Sequence, residues 1–430
     1  MLKNHQRTLF FIRAYNDLDH FSPIIAEFLN QGDQPIILSY AGLDLSDDYR
    51  IKYLKSLGNI KIKKILDKKY IASERRDNII QSFLSRLYSI RRSNNNFIGK
   101  IYRKLFFDCA FETDYLKKNN ISACIFEWGT PFIRGDVVER FFVAAKGLGL
   151  KTIAIPHGCN VFLNSDVNTG YIKNFNKGIL PDNSDRNLYD YYVFQNPIRR
   201  DGWIKWGYDP IKTQAWGSPR FYADWAKTNQ LICPKYLPLF NSDTKVKVVF
   251  MHHQKEYNID QEAIRKTLEV LSNNPDICLV VKDSTRQGKE YFNKAKLSNE
   301  LGGSLMEWCG NETHSPSLIS WADCVIVFGS SIGIEVLLQD KILINPLYLH
   351  SNQTLYEYYS ASHDVNSNKE LIEVINKVSS NNLEDKKLGV KDLLNEVVYA
   401  GKEKYDVPNF YYKKIKSKYL NYHNDDEKYT

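Results

Sequence analysis

The chain contains no cysteine pair of the C-x-x-C type, and its seven cysteines form an odd total. A disulfide framework or a zinc site built from paired cysteines is therefore not indicated. Three of the cysteines, Cys124, Cys278 and Cys324, lie inside apolar runs, where a thiol is typical of a buried core. We expect a protein of a reducing compartment, the cytoplasm.

Long apolar runs are also missing. No segment approaches the roughly 20 apolar residues that a membrane-spanning helix requires. Near Met1, the charges of Lys3, Arg7 and Arg13 interrupt the only apolar stretch, so we expect no secretory signal. No G-x-G-x-x-G follows the first strand pattern of either half, which argues against a dinucleotide oxidoreductase.

Positive charge is in excess, with a formal net charge of +8. It concentrates in the stretch RLYSIRRSNNNFIGKIYRKLFF and in the tail FYYKKIKSKYLNY. This composition suits peripheral contact with the inner face of the plasma membrane. It equally suits a solvated helix whose lysine stems cover apolar surface, and both alternatives stay open. No recognition motif accompanies the charge, so we do not expect nucleic-acid binding.

Short apolar runs alternate with helical patterns along most of the 430 residues, as in parallel sheets with crossover helices. The length and an apolar fraction of 43% are sufficient for two cores. We therefore predict an α/β protein of two Rossmann-like, doubly wound lobes. The predicted strands are 8–14, 35–40, 123–128, 151–157 and 191–196 in the first half, and 245–252, 277–283, 324–329 and 341–346 in the second.

A Pro-containing, weakly structured stretch over residues 231–243 separates the two series of strands. We predict an N-terminal domain over 1–230, a linker over 231–243 and a C-terminal domain over 244–400. A C-terminal helix and tail are predicted over 401–430. Binding loops of such sheets follow the carboxyl ends of the strands, so we expect the ligand in a cleft between the lobes.

The segment CVIVFGSSIGIEVLLQDKILINP (324–346) reads as a buried strand, a turn and a helix that starts near Ser331. The hydroxyls of Ser330 and Ser331 and the first backbone amides of that helix would favour a phosphate. Gly333 would allow a ligand to approach closely, and Glu335, one turn along, could accept bonds from a ribose diol. The alternative is a serine N-cap with a structural glycine and a surface glutamate.

This segment resembles the nucleotide-binding segment of GT-B glycosyltransferases of bacterial surface-polysaccharide assembly. That group includes capsule, O-antigen and β-Kdo transferases and the polyol-phosphate polymerases of teichoic acid synthesis. LKTIAIPHGCN (150–160) and YDPIKTQAWGSPRFYADW (208–225) are similar to two further segments of these enzymes. The resemblance implies that Ser330 and Ser331 hold the donor phosphate and that Glu335 holds the ribose. It also implies that the nucleotide donor binds the C-terminal domain and the acceptor binds the N-terminal domain.

Further donor contacts are predicted at two other strand ends. ICLVVKDSTRQGKE (277–290) stands where these enzymes have a Lys-x-His-Pro motif, but it lacks the His-Pro pair. Lys282 and Arg286 could still neutralise phosphate. His252 and His253 end the first strand of the second lobe, where phosphate contacts are expected.

The catalytic candidates lie in the first part of the chain. His157 follows a predicted strand and precedes a glycine, so it could act as a general base or bond the donor phosphate. A half-buried histidine bonded to backbone is the alternative. Four carboxylates are candidates for a base or nucleophile: Asp19, Glu127, Asp201 and Asp224. Asp17 and Asp19 form a D-x-D pattern, but we expect no metal, and a helix N-cap at Asp19 is the alternative.

The leading prediction is a glycosyltransferase that moves a sugar from a nucleotide donor to a surface-polysaccharide or lipid-linked acceptor. By resemblance the donor would be CMP-Kdo, and no metal or cofactor is expected. Three alternatives stay open: a polyol-phosphate transferase of the teichoic-acid type, a nucleotide-sugar 2-epimerase, and a non-catalytic carbohydrate-binding scaffold.

Overall fold

The fold is described from a computed structural model of the full chain. The described residues are 7–39, 43–64, 109–131, 137–156, 158–159, 161–163, 177–179, 183–238, 245–252, 259–282, 297, 300–301, 306–310, 312–380, 382–384 and 386–417. The basic stretch RLYSIRRSNNNFIGKIYRKLFF and the tail beyond Ser417 lie outside them.

The chain divides into two compact units. Unit 1 comprises Met1–His157, Asp182–Pro219 and Asp406–Thr430, and unit 2 comprises Gly158–Pro181 and Arg220–Tyr405. This division differs from the predicted boundaries, because residues 158–181 and 220–230 group with unit 2 and the C-terminal helix groups with unit 1.

Unit 1 is built on a parallel sheet with the strand order β3-β2-β1-β4-β5-β6-β7. The five predicted strands of this half are confirmed, and the two edge strands β3 and β7 are additional. The strands are β1 (Arg7–Ile12), β2 (Ile36–Ser39), β3 (Lys61–Lys64), β4 (Ile121–Glu127), β5 (Lys151–Ile155), β6 (Tyr191–Phe194) and β7 (Thr213–Ala215).

Helices cover this sheet and bury an aromatic core. Phe11 of β1 stacks on Phe126 of β4 with ring centroids 4.6 Å apart, and Phe141 packs edge-on against Phe11. Tyr412 of the C-terminal helix packs against Phe28 at 4.8 Å. In chain-order numbering, the unit 1 helices are α1 (Tyr15–Asn30), α2 (Tyr49–Leu57), α3 (Ala110–Lys118), α4 (Val137–Gly147), α5 (Pro197–Ile204) and α13 (Val407–Lys416).

Unit 2 contains a second parallel sheet, with the order β10-β9-β8-β11-β12-β13. The four predicted strands are confirmed, and β10 and β13 are again additional strands at the sheet edges. The strands are β8 (Val246–Met251), β9 (Ile277–Lys282), β10 (Met306–Cys309), β11 (Cys324–Ile326), β12 (Ile342–Pro346) and β13 (His363–Val365).

The helices of unit 2 follow its strands along the chain. Leu268 and Ile375, from two of these helices, share one buried core with Phe250 and Phe328. The helices are α6 (Ala223–Ile232), α7 (Gln261–Ser272), α8 (Ser315–Trp321), α9 (Ile332–Leu338), α10 (Leu355–Tyr358), α11 (Asn368–Ser379) and α12 (Lys387–Tyr399).

The predicted linker over 231–243 is in part ordered structure of unit 2. Its first two residues end α6, and Tyr236 packs edge-on against Trp321 at 5.5 Å. The hydroxyl of Tyr236 also donates to Glu307 at 2.7 Å. Residues 239–243 lie outside the described part. Residues 231 and 232 are therefore helical, whereas 233–238 form no regular helix or strand, and the linker over 231–243 stays a prediction.

Each sheet reverses its direction of winding at one place, between β1 and β4 in unit 1 and between β8 and β11 in unit 2. In doubly wound sheets, ligands bind outside the carboxyl ends of the strands at such a switch point. The predicted fold class, two Rossmann-like α/β units of the GT-B type, is confirmed. Within the described residues, no helix is both long enough and apolar enough to cross a membrane.

Candidate functional site

The turn after β11 occupies the switch point of unit 2. It runs through Gly329, whose φ of +68° lies in the left-handed region that favours glycine, to the start of α9. Ser330 and Ser331 are half-buried. The Ser331 side chain makes no capping hydrogen bond, and Ser330 Oγ accepts a long one, 3.4 Å, from the amide of Ile332. Ser331 is the N-cap residue of α9, but its hydroxyl is not used for capping.

Two aromatic side chains pack against the glycines of this turn. A Cβ atom on Gly329 would lie 2.5 Å from the ring of Phe162, and one on Gly333 would lie 2.6 Å from Oη of Tyr356. Tyr356 is fully buried and donates to the carbonyl oxygen of Ser330 at 2.6 Å. Burial raises the pKa of Tyr356 well above its ordinary value, and backbone amides of the first turn of α9 oppose that rise. The prediction that Gly333 makes room for a ligand is corrected: Tyr356 fills the space beside it.

Replacing Gly333 with alanine is expected to lower the free energy of unfolding by about 1–3 kcal/mol, because the new methyl group overlaps the Tyr356 phenol. Urea denaturation measures the change. Gly202→Ala in α5 is the control, because a methyl group there meets nothing within 4 Å. Alanine is the better helix former, so the control should be neutral or more stable by about 0.5–1 kcal/mol. Equal stability of Gly333→Ala and the wild type would contradict the packing described.

Glu335, in α9, forms an ion pair with Arg220. Nε of Arg220 donates to Oε1 of Glu335 at 2.7 Å, and Nη2 contacts the same oxygen. The side chains retain only 15% and 9% of their exposure, so each charge depends on the other for stabilisation. The carboxylate that the resemblance assigns to a ribose is thus engaged by a guanidinium in this structure.

The segment after the predicted His-Gly motif also reaches this turn. A Cβ atom on Gly158 would lie 4.0 Å from Oγ of Ser331. Val161 accepts a hydrogen bond from the amide of Leu355 at 2.7 Å, so the backbone of this segment is anchored beside α10. His157 itself lies outside the described residues. Parts of the three segments that carried the resemblance are therefore brought together within unit 2.

Two other predicted donor contacts, Lys282 and His252, lie at the ends of β9 and β8. Lys282 is 3% exposed, and its ammonium group bonds the carbonyl oxygen of Gly310. The burial of Lys282 argues against the predicted direct contact with phosphate, because its ammonium group is enclosed within unit 2 and already bonds a carbonyl oxygen. The half-buried His252 lies 3.3 Å from Oε1 of Gln261 through Nε2. His253 and Arg286 lie outside the described residues.

At the switch point of unit 1, Glu127 ends β4 and pairs with Arg13, which follows the neighbouring strand β1. The Glu127 side chain is 3% exposed, whereas the Arg13 side chain keeps 31% of its exposure. Asp17, in the first turn of α1, accepts hydrogen bonds from the amides of Arg13 and Ala14 at 2.7 and 3.1 Å. The structure therefore places a carboxylate and a partly exposed cation where the topology predicts a ligand.

The other three carboxylate candidates do not lie at strand ends. Asp19 lies inside α1 and pairs with Arg50. The N-cap of α1 is Ala14, so the alternative of an N-cap at Asp19 is wrong. Burial lowers the pKa of Arg50, but Asp19 and nearby carboxylates outweigh it and raise that pKa above its ordinary value. Asp201 is exposed on α5 beside Arg200. Asp224 is exposed on α6 and belongs to unit 2, not to the first domain as predicted.

Among the described residues, no group of three or more His, Cys, Asp or Glu side chains could hold a metal ion. Asp17 and Asp19 face different partners, since Asp17 bonds backbone amides and Asp19 bonds Arg50. The D-x-D pattern therefore corresponds to a helix start and an ion pair.

Sequence reasoning missed four residues of these two sites: Arg13, Phe162, Arg220 and Tyr356. Arg220 stands in the Gly-Ser-Pro-Arg segment that carried part of the resemblance, so a signal for it was present. The glycines at 329 and 333 indicate close approaches, but nothing local identifies the aromatic rings that approach.

The chain is similar in fold to solved structures of proteins that bind or convert UDP-linked sugars. A UDP-N-acetylglucosamine 2-epimerase from Rickettsia bellii superposes on this chain with a TM-score of 0.55 at 13% sequence identity. MnaA from S. aureus, solved with UDP, superposes with a TM-score of 0.56 at 12% sequence identity. Each of these comparisons covers 98% of both chains. HepE from Anabaena, in complex with UDP and glucose, gives 0.52 at 11% identity over 95% of this chain and 98% of that one. The chain has their fold. Scans of family models and of curated protein sequences found no match.

Proposed function

We propose that the protein is an enzyme that binds a nucleotide-linked sugar, with the nucleotide held by unit 2. The observation that carries this proposal is the convergence at the unit 2 switch point. Gly158, the Arg220–Glu335 pair and the turn through Ser330 and Ser331 come from three distant parts of the chain. Half-buried hydroxyls, a paired arginine and a glycine turn are suited to hold a diphosphate.

UDP is the nucleotide that the comparisons favour. S. aureus MnaA was solved with UDP, and Anabaena HepE with UDP and glucose. The resemblance seen in the sequence instead implies CMP carrying Kdo. We propose UDP as the primary ligand and CMP as the alternative.

Two reactions are candidates, each with its own support. Epimerisation at C2 of a UDP-sugar is supported by the fold, which is that of UDP-N-acetylglucosamine 2-epimerases. Glycosyl transfer to a surface-polysaccharide or lipid-linked acceptor is supported by the sequence motifs alone. We place epimerisation first, because the structural comparisons extend over the whole chain.

The groups proposed to act on the sugar are among the catalytic candidates that the sequence analysis names. Glu127 is the best placed of the four carboxylates, because it ends a strand at the switch point and faces the partly exposed Arg13. His157 remains the proposed general base. Asp19, Asp201 and Asp224 are weaker proposals, since one is held by Arg50 and two are exposed on helices.

The deciding experiment incubates the protein with UDP-N-acetylglucosamine alone and then with an acceptor glycan. An epimerase converts the sugar nucleotide to its 2-epimer without acceptor, as chromatography and NMR would show. A transferase leaves the donor largely intact until acceptor is added and then releases UDP. CMP-Kdo and CDP-polyols are tested in the same way. Failure to bind any of these nucleotides would favour the non-catalytic scaffold.

Turnover is expected to persist in excess EDTA, because Arg220 and the backbone amides of the unit 2 turn, rather than a metal, are proposed to stabilise the phosphate charge. Activity is measured after dialysis against EDTA and again after Mg²⁺ or Mn²⁺ is added back. Loss of activity that either ion restores would overturn this expectation and return Asp17 and Asp19 to consideration as ligands.

A further inference from the structure

We propose that Phe162 and Tyr356 form an aromatic clamp that positions the ligand-binding turn of unit 2. The inference rests on the proposed function, since it assigns these two residues to the same nucleotide site. They are positioning residues: they hold the turn that would touch the phosphate, and neither is proposed to touch the ligand.

The clamp is built on a short antiparallel pairing of two distant segments. Phe162 forms a bridge with Thr354, and the amide of Leu163 donates to the carbonyl of Gln353 at 2.9 Å. Thr354 caps α10 together with Glu357, whose carboxylate accepts from the Thr354 amide at 2.9 Å. The helix start and the bridge thus fix the backbone that carries both aromatic rings.

The two rings contact the backbone at two places, at Gly329 in the turn and at Gly333 in the first turn of α9. Phe162 packs under Gly329, and Tyr356 packs against Gly333, four residues later. Any side chain at either glycine would place its Cβ less than 3 Å from a ring atom. The Tyr356 hydroxyl also bonds the carbonyl of Ser330 at 2.6 Å, so the backbone between the two glycines is held directly.

The consequence is preorganisation of the groups that would meet a phosphate. Phe162 and Tyr356 are 4% and 0% exposed, and such tightly packed rings resist displacement. A turn that is already ordered loses less conformational freedom when ligand binds, so binding is tighter than with a mobile turn. Phe162 also joins the segment that begins at Gly158 to this turn.

The test compares Tyr356→Phe with Tyr348→Phe, which removes a hydroxyl elsewhere in unit 2. The Tyr348 hydroxyl lies 3.0 Å from Thr267 of α7 and bonds Asn368 of α11, so its loss should not affect the turn. Calorimetry measures the affinity for UDP, and hydrogen exchange measures the amides of 332–335 in the ligand-free protein. We expect Tyr356→Phe to bind UDP about tenfold more weakly and to exchange these amides about tenfold faster. Tyr348→Phe should match the wild type in both.

A merely stabilising role for Tyr356 predicts another result: both variants lower Tm, yet both bind UDP with wild-type affinity. That outcome, or unchanged exchange at 332–335 in Tyr356→Phe, overturns the clamp. Phe162→Leu provides the second variant and should weaken UDP binding in the same direction. If the wild type binds neither UDP nor CMP, the proposed function fails, and the exchange measurement by itself still decides whether Tyr356 holds the turn.

Discussion

Replacing Glu335 with alanine is expected to lower the free energy of unfolding by about 3 kcal/mol and to weaken UDP binding by ten- to a hundredfold. The variant leaves the charge of Arg220 without its carboxylate, in a place where the two side chains are only 15% and 9% exposed. We take the lower end of the range for broken buried pairs because Arg220 retains some contact with solvent. Urea denaturation and calorimetry provide the two measurements.

A double variant separates the structural part of this effect from the binding part. Arg220→Met combined with Glu335→Leu removes both charges and keeps similar volume, so stability should return to within about 1 kcal/mol of the wild type. UDP affinity should remain low, because the groups proposed to serve the nucleotide are gone. Recovery of both stability and affinity would show that the pair is structural only.

The matched control is the ion pair between Arg140 and Glu112 in unit 1. Nε of Arg140 donates to Glu112 at 2.9 Å, and the Glu112 side chain is fully buried. Glu112→Ala should therefore destabilise the protein to a similar degree while leaving UDP affinity unchanged. Wild-type UDP affinity in Glu335→Ala would remove Glu335 from the nucleotide site.

The second large effect is expected at His157, whose replacement by alanine should lower turnover by roughly 10²- to 10⁴-fold if it is the general base. In the sequence, His157 stands between β5, which ends at Ile155, and Gly158, which approaches Ser331. It is therefore one residue away in sequence from the proposed phosphate site. Steady-state kinetics and UDP affinity are measured on the same preparation.

UDP affinity of His157→Ala should stay within about threefold of the wild type, the reverse of the pattern expected for Glu335. His363→Ala, on the edge strand β13, is the control and should retain wild-type turnover.

Glu127→Gln tests the second group that is proposed to act on the sugar, and we expect lower turnover with little change in the affinity for UDP. Normal turnover in both His157→Ala and Glu127→Gln would place the chemistry on other residues.

The accuracy of the strand predictions depended on where each strand lies in its sheet. The nine predicted strands are the interior strands of the two sheets, and they consist mainly of buried apolar residues. The four missed strands are the four sheet edges. Edge strands can be short or carry charge, as the largely exposed β3 with its sequence KIKK does, so they lack the apolar run on which the prediction relied.

The prediction of site residues was less complete for a related reason. A strand followed by Gly and Ser indicates a binding turn locally, and Ser330, Ser331 and Glu335 do lie at the switch point of unit 2. The partner of Glu335 is 115 residues away in sequence, and no local pattern specifies it. Burial of Lys282 and exposure of Asp201 likewise depend on surroundings that the neighbouring residues do not reveal.

By itself, the sequence determined the two doubly wound units, the central strands and the turn at Gly329, because periodicity and glycine usage are local records of burial and backbone conformation. Only the tertiary structure decided which unit the segment 158–163 joins, that Tyr356 rather than a ligand fills the space beside Gly333, and that Arg220 engages Glu335. These outcomes depend on contacts between residues far apart in the chain, and such contacts form only when the whole unit packs.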